Sequence, residues 1–255
     1  MQVTKVALDD LDVTYCCMSE VPPGVSWVEA LPESREWMKA NLGKHVEGYH
    51  LLDGKKVVGH IYFATSERAL VPYETEPMVA CIYCTEILRD YMHKRYGRMM
   101  FDYVKRDLEK QGFKGIVVDA TSFKEYLHYE HFLKQGFKTI KEHPPFKLMY
   151  FPLTKKGIDV KLLDLNYTPS KDKVEVTLFN NFFCPVGAYM YHLIKQTAQS
   201  FGDKVKIVEI EFTLETVKKY GTIDPLINGK VKLLGPASEE DVKKAIREEI
   251  NQFRY

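Results

Sequence analysis

A strand-like run followed by a basic turn and a helix-like run is the feature that most constrains this chain of 255 residues. The strand-like run is MVACIYCTEIL, the turn is RDYMHKRYGRMM at residues 89–100, and the helical run is GRMMFDYVKRDLEKQG. Backbone N–H groups at a helix start are unpaired and lie at the positive end of the helix dipole, so such a turn can hold a phosphate. Gly97 is the one glycine of this turn, whereas phosphate-binding turns usually have at least two.

The elements around this turn predict a mixed sheet flanked by helices, of the α/β (α+β) class, over residues 1–153. Asp53-Gly54 is a strong hairpin signal between two strands rich in β-branched and aromatic residues. Met100, Val104 and Leu108 recur every four residues and predict one apolar face on the helix after the turn. GIVVDAT predicts a buried strand, FLKQG the end of a short helix, and FKTIKEHPPFKLMYFPL a pair of strands. DVTYCCMSEV near the start is also expected to be a strand.

Residues 154–172 are rich in lysine, aspartate and turn residues, and we interpret them as a linker with a short strand at Val160–Leu163. Residues 173–255 then predict a smaller unit. Its strands are VEVTLFNN, VKIVEIEF and PLINGKVKLL, and its helices are PVGAYMYHLIKQTAQSFG, LETVKKYG and SEEDVKKAIREEINQF. Ser238 and Asp241 are placed to cap the last helix.

Composition excludes several classes of protein. The net charge is +1, with 28% charged and 45% hydrophobic residues, which gives no electrostatic reason to expect nucleic acid or a membrane surface as partner. The first residues lack the pattern of a signal peptide, and no stretch is long and apolar enough to span a bilayer, so we expect a cytoplasmic protein. Five cysteines fit thiols in a reducing compartment better than a disulfide framework.

The order strand, basic turn, helix, strand and short helix ending FLKQGF resembles the GNAT superfamily of N-acetyltransferases, over about the first three fifths of the chain. The family's R/Q-x-x-G-x-G/A turn, whose amides hold the pyrophosphate of coenzyme A, corresponds here to residues 92–97. Met92 stands where Arg or Gln is usual, Arg95 replaces the first glycine, and Gly97 is kept. The resemblance implies acetyl-CoA or another acyl-CoA as co-substrate, no metal, and direct transfer to an amine of a small molecule or peptide.

The same resemblance implies residue roles. The strand that precedes the turn would splay from its neighbour near Glu86, Ile87 and Leu88 and pair with the pantetheine arm. Glu86 is the candidate general base, with a solvated carboxylate as the alternative. Phe132 stands where many members have a tyrosine that protonates the thiolate, so Tyr129 is the substitute acid, with simple packing as the alternative. The residues expected to bind the cofactor are Ile87, Leu88, Met92, His93, Lys94, Arg95, Tyr96, Gly97, Arg98 and Phe132.

Cys184 lies at a strand-to-helix junction in the second unit and is followed by proline. Unpaired amides and the helix dipole at such a place favour a thiolate, and Cys184 is therefore a third candidate catalytic residue. The order of elements resembles the thioredoxin fold, with Pro225 as the counterpart of its cis-proline, although Gly187 occupies the second cysteine position of C-x-x-C. Both units together resemble the YoaP-like acetyltransferases. The alternative function is a thiol-dependent redox or sensing protein that uses Cys184, with a first unit that no longer catalyses. A non-enzymatic binding module is a third alternative.

Other groups of cysteine, histidine and glutamate give weaker indications of a disulfide or a metal site. Cys81 and Cys84 are three apart on a strand, so plain alternation places them on opposite faces, and Cys16 with Cys17 has the same difficulty. His128, Glu130 and His131 match no zinc motif of known mechanics, and a polar helix face explains them. The residues leave the acceptor and the oligomeric state open.

Overall fold

The computed structural model describes residues 1–22, 24–124 and 126–252. By its contacts the chain forms two compact units. The first comprises Met1–Pro23, Met38–Ala69 and Tyr73–Lys161, and the second comprises Gly24–Trp37, Leu70–Pro72 and Leu162–Tyr255. The boundaries expected at residues 153 and 173 stay a prediction.

Twelve strands and seven α-helices are assigned within the described residues. The strands are β1 (Gln2–Lys5), β2 (Glu47–Asp53), β3 (Lys56–Thr65), β4 (Tyr73–Thr75), β5 (Val79–Ile87), β6 (Gly115–Thr121), β7 (Lys138–His143), β8 (Phe146–Pro152), β9 (Val160–Leu162), β10 (Val174–Phe179), β11 (Val205–Ile210) and β12 (Leu226–Ile227). The helices are α1 (Ser26–Glu29), α2 (Leu31–Asn41), α3 (Tyr96–Lys110), α4 (Tyr129–Lys134), α5 (Pro185–Gln199), α6 (Leu214–Tyr220) and α7 (Glu239–Gln252).

The first unit is built on a seven-stranded mixed sheet with the order β1-β2-β3-β5-β6-β8-β7. Among the described strands of this sheet, β5 and β6 are the one parallel pair, and the other neighbours are antiparallel. Parallel neighbours need a crossover connection, and α3 provides it. The predicted class, a mixed sheet flanked by helices, is confirmed.

The apolar face of α3 packs on one face of this sheet, which we call the α3 face. Met100, Phe101, Val104 and Leu108 are all buried there, as their spacing predicts. They lie in one core with Ala80 and Ile82 of β5 and with Ile116 and Val118 of β6. Burial of each large side chain contributes about 2 kcal/mol, so this face fixes the helix on the sheet.

The N-terminal segment differs from its predicted strand. DVTYCCMSEV lies largely in two 3₁₀ helices, Leu8–Val13 and Cys16–Glu20, and the first strand is β1 instead. Local hydrogen bonds explain the difference: the Ala7 N–H donates to Asp10 Oδ2 at 2.8 Å, and the Ser19 hydroxyl donates to the Cys16 carbonyl at 2.7 Å. Such short-range bonds compete with a strand ladder.

The second unit has a three-stranded sheet of order β11-β10-β12, in which β10 pairs with β11 in parallel and with β12 antiparallel. Its core joins Val176 of β10 to Ile194 of α5 and Ile246 of α7. The predicted cap of α7 is confirmed, because the Ser238 hydroxyl donates to Asp241 Oδ2 at 2.6 Å and accepts from the Asp241 N–H at 3.2 Å.

Two expectations for this unit are wrong. The strand expected over PLINGKVKLL is limited to the two residues of β12. In the described part of the chain the cis peptide bond is Pro144-Pro145, so Pro225 is not a cis-proline. Positive φ angles at Asn228 and Gly229 turn the chain directly after β12 and end the strand. No helix within the described ranges is long and apolar enough to cross a membrane.

Glu249 of α7 is a buried carboxylate, 1% exposed. It accepts from Lys230 Nζ at 2.9 and 3.0 Å, from Lys232 Nζ at 2.7 Å, and from Asn228 Nδ2 at 3.1 Å. Burial raises its pKa, but the lysine and asparagine hydrogen bonds outweigh burial and leave the pKa below its ordinary value. The carboxylate thus ties the segment after β12 to α7.

Replacing Glu249 by glutamine should lower the free energy of unfolding of the second unit by about 2 kcal/mol near neutral pH, because charge-assisted bonds to a buried group are lost. A carboxyl with a lowered folded pKa stabilises the fold above its unfolded pKa, and this stability is lost as pH falls through the folded pKa. The deficit should therefore shrink in acid. Amide hydrogen exchange of β10 measures it.

The matched control is Glu248→Gln, one residue earlier, whose exposed carboxylate also meets Lys232 Nζ at 3.0 Å. An exposed ion pair contributes about 0.5 kcal/mol or less, so this change should be nearly silent. Equal effects of the two substitutions would contradict the assigned role of Glu249.

Candidate active site

The parallel strands β5 and β6 of the first unit pair along the first part of their lengths, and we call the space between their later residues the gap. The backbone pairing of these strands runs from Val79 with Gly115 to Ile82 with Val118. Within the described residues it ends there. β5 nevertheless extends to Ile87 and β6 to Thr121. Beyond Ile82 the two strands diverge, and the backbone groups of β5 that point away from β3 face the gap.

A β-bulge in β5 lies at the point of divergence. Phe63 of β3 pairs with Ile82 and Tyr62 pairs with Cys84, so Tyr83 is the extra residue. A bulge bends its strand, increases the local twist and shifts the alternation of side chains by one residue. Ile82 therefore lies on the α3 face, whereas Cys84 and the following Glu86 lie on the opposite face.

The same bulge corrects the expectation for Cys81 and Cys84. Cys81 pairs with Ala64 and Cys84 with Tyr62, two residues apart on β3, so both cysteines lie on the same face. Among the described residues, no group of three or more His, Cys, Asp or Glu side chains is arranged to hold a metal ion.

The basic turn reaches the start of α3 through two left-handed residues. His93 has a φ of 60° and Arg95 a φ of 64°, and Arg95 is the residue at the N-cap. No side chain caps the helix, and the first bond of the helix is from the Met99 N–H to the Arg95 carbonyl at 3.0 Å. The preceding N–H groups of residues 96–98 have no acceptor within the helix, as at any helix start.

Arg95 thus takes the conformation that a glycine would favour at this position. The side chains of residues 92–95 and of Arg98 are exposed, while Tyr96 and Gly97 are half-buried. The turn therefore combines uncapped amides with the cationic side chains of Lys94, Arg95 and Arg98.

Gly97 brings the start of α3 against the end of β5. A Cβ built on Gly97 would lie 3.5 Å from Ile87 Cγ1, which is ordinary contact, so the helix start adjoins Ile87. Gly59 of β3 lies beneath Ile87, and a Cβ there would collide with Ile87 Cδ1. Leu88 differs from expectation: its side chain is buried in the core, and its N–H donates to the Val58 carbonyl at 3.0 Å.

Glu86 is a half-buried carboxyl on the face opposite α3, next to the gap. The Ile87 N–H donates to Glu86 Oε1 at 3.2 Å. The pKa of Glu86 is raised to about 7, chiefly by burial and also by nearby Glu20, against the lowering effect of the Ile87 amide and Arg89. A carboxyl with this pKa can accept a proton at neutral pH, which is the property that a general base needs.

Three side chains beside Glu86 form a row that was not predicted from the sequence. Cys16 Sγ lies 3.3 Å from His60 Nδ1, and Cys84 Sγ lies 3.3 Å from His60 Nε2. The His60 ring stacks on Tyr62 at 4.3 Å between centroids. Burial lowers the pKa of His60 to about 3 and raises that of the Cys16 thiol to about 12, so both are neutral. Their separation of 24 to 68 positions along the chain hides this row from local motifs.

The other side of the gap carries the start of α4. Thr121 at the end of β6 bridges to His128, directly before Tyr129. The Tyr129 ring is half-buried against the core, with Lys147 Nζ 4.2 Å from its centroid. Phe132 is buried in the core and packs on Phe137 at 5.2 Å between centroids. Phe132 is thus a core residue, while Tyr129 begins α4, next to the residue that bridges to the end of β6.

Cys184 of the second unit is a half-buried thiol at the N-cap of α5. Burial raises its pKa, against the amides of Gly187 and Val186, which lower it. The net direction is opposite to the expected effect of a helix start. The thiolate is therefore not the favoured form of Cys184 at neutral pH.

No protein-family model and no curated protein matches the sequence. Solved structures do show similarity to part of the chain. Aminoglycoside 6'-acetyltransferase type Ii is 13% identical, with a TM-score of 0.47, over 62% of this chain and 100% of that one. The ribosomal-protein-S18-alanine N-acetyltransferase from Escherichia coli is 13% identical, with a TM-score of 0.43, over 61% of this chain and 96% of that one. The PaiA N-acetyltransferase from Thermoplasma acidophilum, in complex with coenzyme A, is 13% identical, with a TM-score of 0.40, over 60% and 99%.

Glu86→Gln should stabilise the first unit increasingly as pH rises towards 7. A carboxyl whose pKa is raised on folding keeps its proton in the folded state where the unfolded chain has released it, so the wild type loses stability over that interval. The advantage of the variant should level off above the Glu86 pKa of about 7. Amide exchange of β3 at several pH values measures it. Glu249→Gln, measured by amide exchange of β10, should show the opposite dependence on pH. A stability difference between wild type and Glu86→Gln that stays constant across pH would contradict the raised pKa.

Arg95→Gly should give a protein about 1 kcal/mol more stable than Arg95→Ala, because both lose the guanidinium but only glycine adopts a positive φ without strain. Arg98, inside the first turn of α3, is the matched control. At position 98 the order should reverse, and Arg98→Gly should be about 1 kcal/mol less stable than Arg98→Ala. Urea unfolding of the four variants makes the comparison, and alanine equal to glycine at position 95 would contradict the left-handed turn.

Proposed function

We propose that this protein is an acyl-CoA-dependent N-acyltransferase that transfers the acyl group, as from acetyl-CoA, directly to an amine. The observation that carries the proposal is the divergence of β5 from β6 beyond Ile82 and Val118, immediately beside the uncapped start of α3. A gap between two parallel strands gives an extended ligand backbone partners, and a helix start at its mouth gives a diphosphate its amides.

The pyrophosphate is assigned to the turn at residues 92–98. The N–H groups of Tyr96, Gly97 and Arg98 point out of the helix start, where the helix dipole favours negative charge. The exposed cations of Lys94, Arg95 and Arg98 add charge-assisted hydrogen bonds. Gly97 supports this assignment, because a larger side chain there would occupy space beside Ile87.

The pantetheine arm is assigned to the stretch of β5 that follows the end of its pairing with β6. Its amide groups need hydrogen-bond partners, and the outward backbone groups between Tyr83 and Ile87 can supply them. Ile87 on the α3 face gives the arm an apolar contact next to Gly97. Leu88 contributes to the core beneath this site and does not line it.

The proton acceptor of the proposed reaction lies on the other face of β5. Glu86 is the proton acceptor for the attacking amine, and its pKa of about 7 suits this role at neutral pH. A backbone N–H of β5 in the gap would stabilise the oxyanion of acyl transfer. Tyr129, at the start of α4 beside the end of β6, is assigned as the acid that protonates the leaving thiolate.

The second unit is proposed to be thioredoxin-like, with β10 between a parallel and an antiparallel neighbour. Gly187 in place of a second cysteine removes a self-contained dithiol cycle. The raised pKa of Cys184 weighs against the alternative of a thiol-dependent redox or sensing protein. Acyl transfer in the first unit is therefore the preferred function, with the acceptor amine left open.

Acetyl-CoA should raise the melting temperature of the protein, and Gly97→Trp should abolish the rise, because the indole would fill the space beside Ile87. Gly157→Trp is the matched control, since Gly157 is exposed, has no neighbour within 4 Å of an added Cβ, and does not need a positive φ. Differential scanning fluorimetry with and without acetyl-CoA measures both. A wild-type protein whose melting temperature acetyl-CoA does not raise would refute the proposed function.

A further inference from the structure

Cys84 lies inside the stretch of β5 that faces the gap. It is half-buried and is the first residue after the bulge, on the same face as Glu86. Residues two apart on a strand are separated by about 6.6 Å on one face, so Cys84 and Glu86 are neighbours there, and an acyl group attacked by an amine at Glu86 lies next to the Cys84 side chain. This placement depends on the extra residue Tyr83, without which Cys84 would lie on the α3 face.

The thiol of Cys84 has a proton-transfer partner. His60 Nε2 lies 3.3 Å from Cys84 Sγ, and His60 Nδ1 lies 3.3 Å from Cys16 Sγ. When Nδ1 carries its hydrogen and donates it to Cys16 Sγ, Nε2 is free to accept the Cys84 proton. A nucleophile bonded to a base that a third group orients is the usual arrangement for nucleophilic catalysis.

From this arrangement we propose that Cys84 accepts the acyl group of acyl-CoA as a thioester when no amine is present, with His60 as the proton relay. The inference rests on the proposed function, because it needs acyl-CoA in the gap. Cys84 Sγ bonds to the acyl carbon, and the bond from that carbon to the CoA sulfur breaks. The Cys84 proton passes through His60 to that sulfur, which leaves as a thiol.

One thioester replaces another in this step, so neither an oxidant nor a further reactant is needed. His60 is fully buried beside Tyr62, and the charged imidazole is therefore disfavoured. His60 thus transfers the proton onward and does not remain protonated. Proximity is what makes the transfer fast, since positioning can raise the effective concentration of a reactant by several powers of ten.

The experiment incubates the full-length protein with acetyl-CoA without any amine and follows acetylation by intact mass and peptide mapping. One acetyl group should appear at Cys84, at least about tenfold faster than at any other cysteine, and neutral hydroxylamine should remove it. Cys84→Ser should abolish the adduct. Cys184→Ser, at an equally half-buried thiol of the other unit, should leave it unchanged.

His60→Gln tests the relay, and it should slow acetylation of Cys84 about tenfold or more while the CoA-induced rise in melting temperature persists. The mapping of the wild-type protein decides the inference even where a variant fails to fold. CoA that binds without acetylation of Cys84, or with all cysteines acetylated equally, overturns this inference alone. A protein that neither CoA nor acetyl-CoA stabilises overturns the proposed function as well.

Discussion

Loss of pairing between two strands in the middle of a sheet is the constraint on which the rest of this structure depends. β5 and β6 are interior strands, each paired on its other side along its length, so their separation beyond Ile82 and Val118 exposes backbone groups that a sheet would normally satisfy. Buried N–H and C=O groups without partners are destabilising, and water or a ligand must therefore meet them. This need is why we propose the gap as the place where the acyl-CoA binds.

The bulge at Tyr83 gives the gap its two chemically different sides. On the α3 face the strand presents Ile87 to Gly97, which suits an apolar arm that leads to a helix start. On the opposite face lie Cys84 and Glu86, beside the neutral Cys16 thiol and the neutral His60 imidazole. These neutral, buried neighbours do not lower the pKa of Glu86 as a cation would, and its burial among them raises it.

Sequence periodicity predicted most elements near the site, because α3, β5 and β6 are each governed by their own apolar pattern. The divergence of β5 and β6 was expected only from a family resemblance, and the bulge was not expected at all. A bulge is a property of the register between β3 and β5, and neither strand alone encodes it in an alternation. The opposite-face argument for Cys81 and Cys84 was wrong for this reason. The row through His60 was not predicted because its members are far apart in the sequence and because the bulge decides the face on which Cys84 lies.

The turn shows how a departure from a motif can keep its geometry. A glycine at position 95 would adopt the left-handed conformation without strain, whereas Arg95 adopts it at a cost of about 1 kcal/mol. In exchange, the position carries a cation directly before the uncapped amides of α3. An anion bound there would meet both the amides and the guanidinium, and its charge would also relieve repulsion among the neighbouring cations. The strain of the left-handed arginine is therefore compatible with a phosphate site, because the same residue strengthens the field that a phosphate needs.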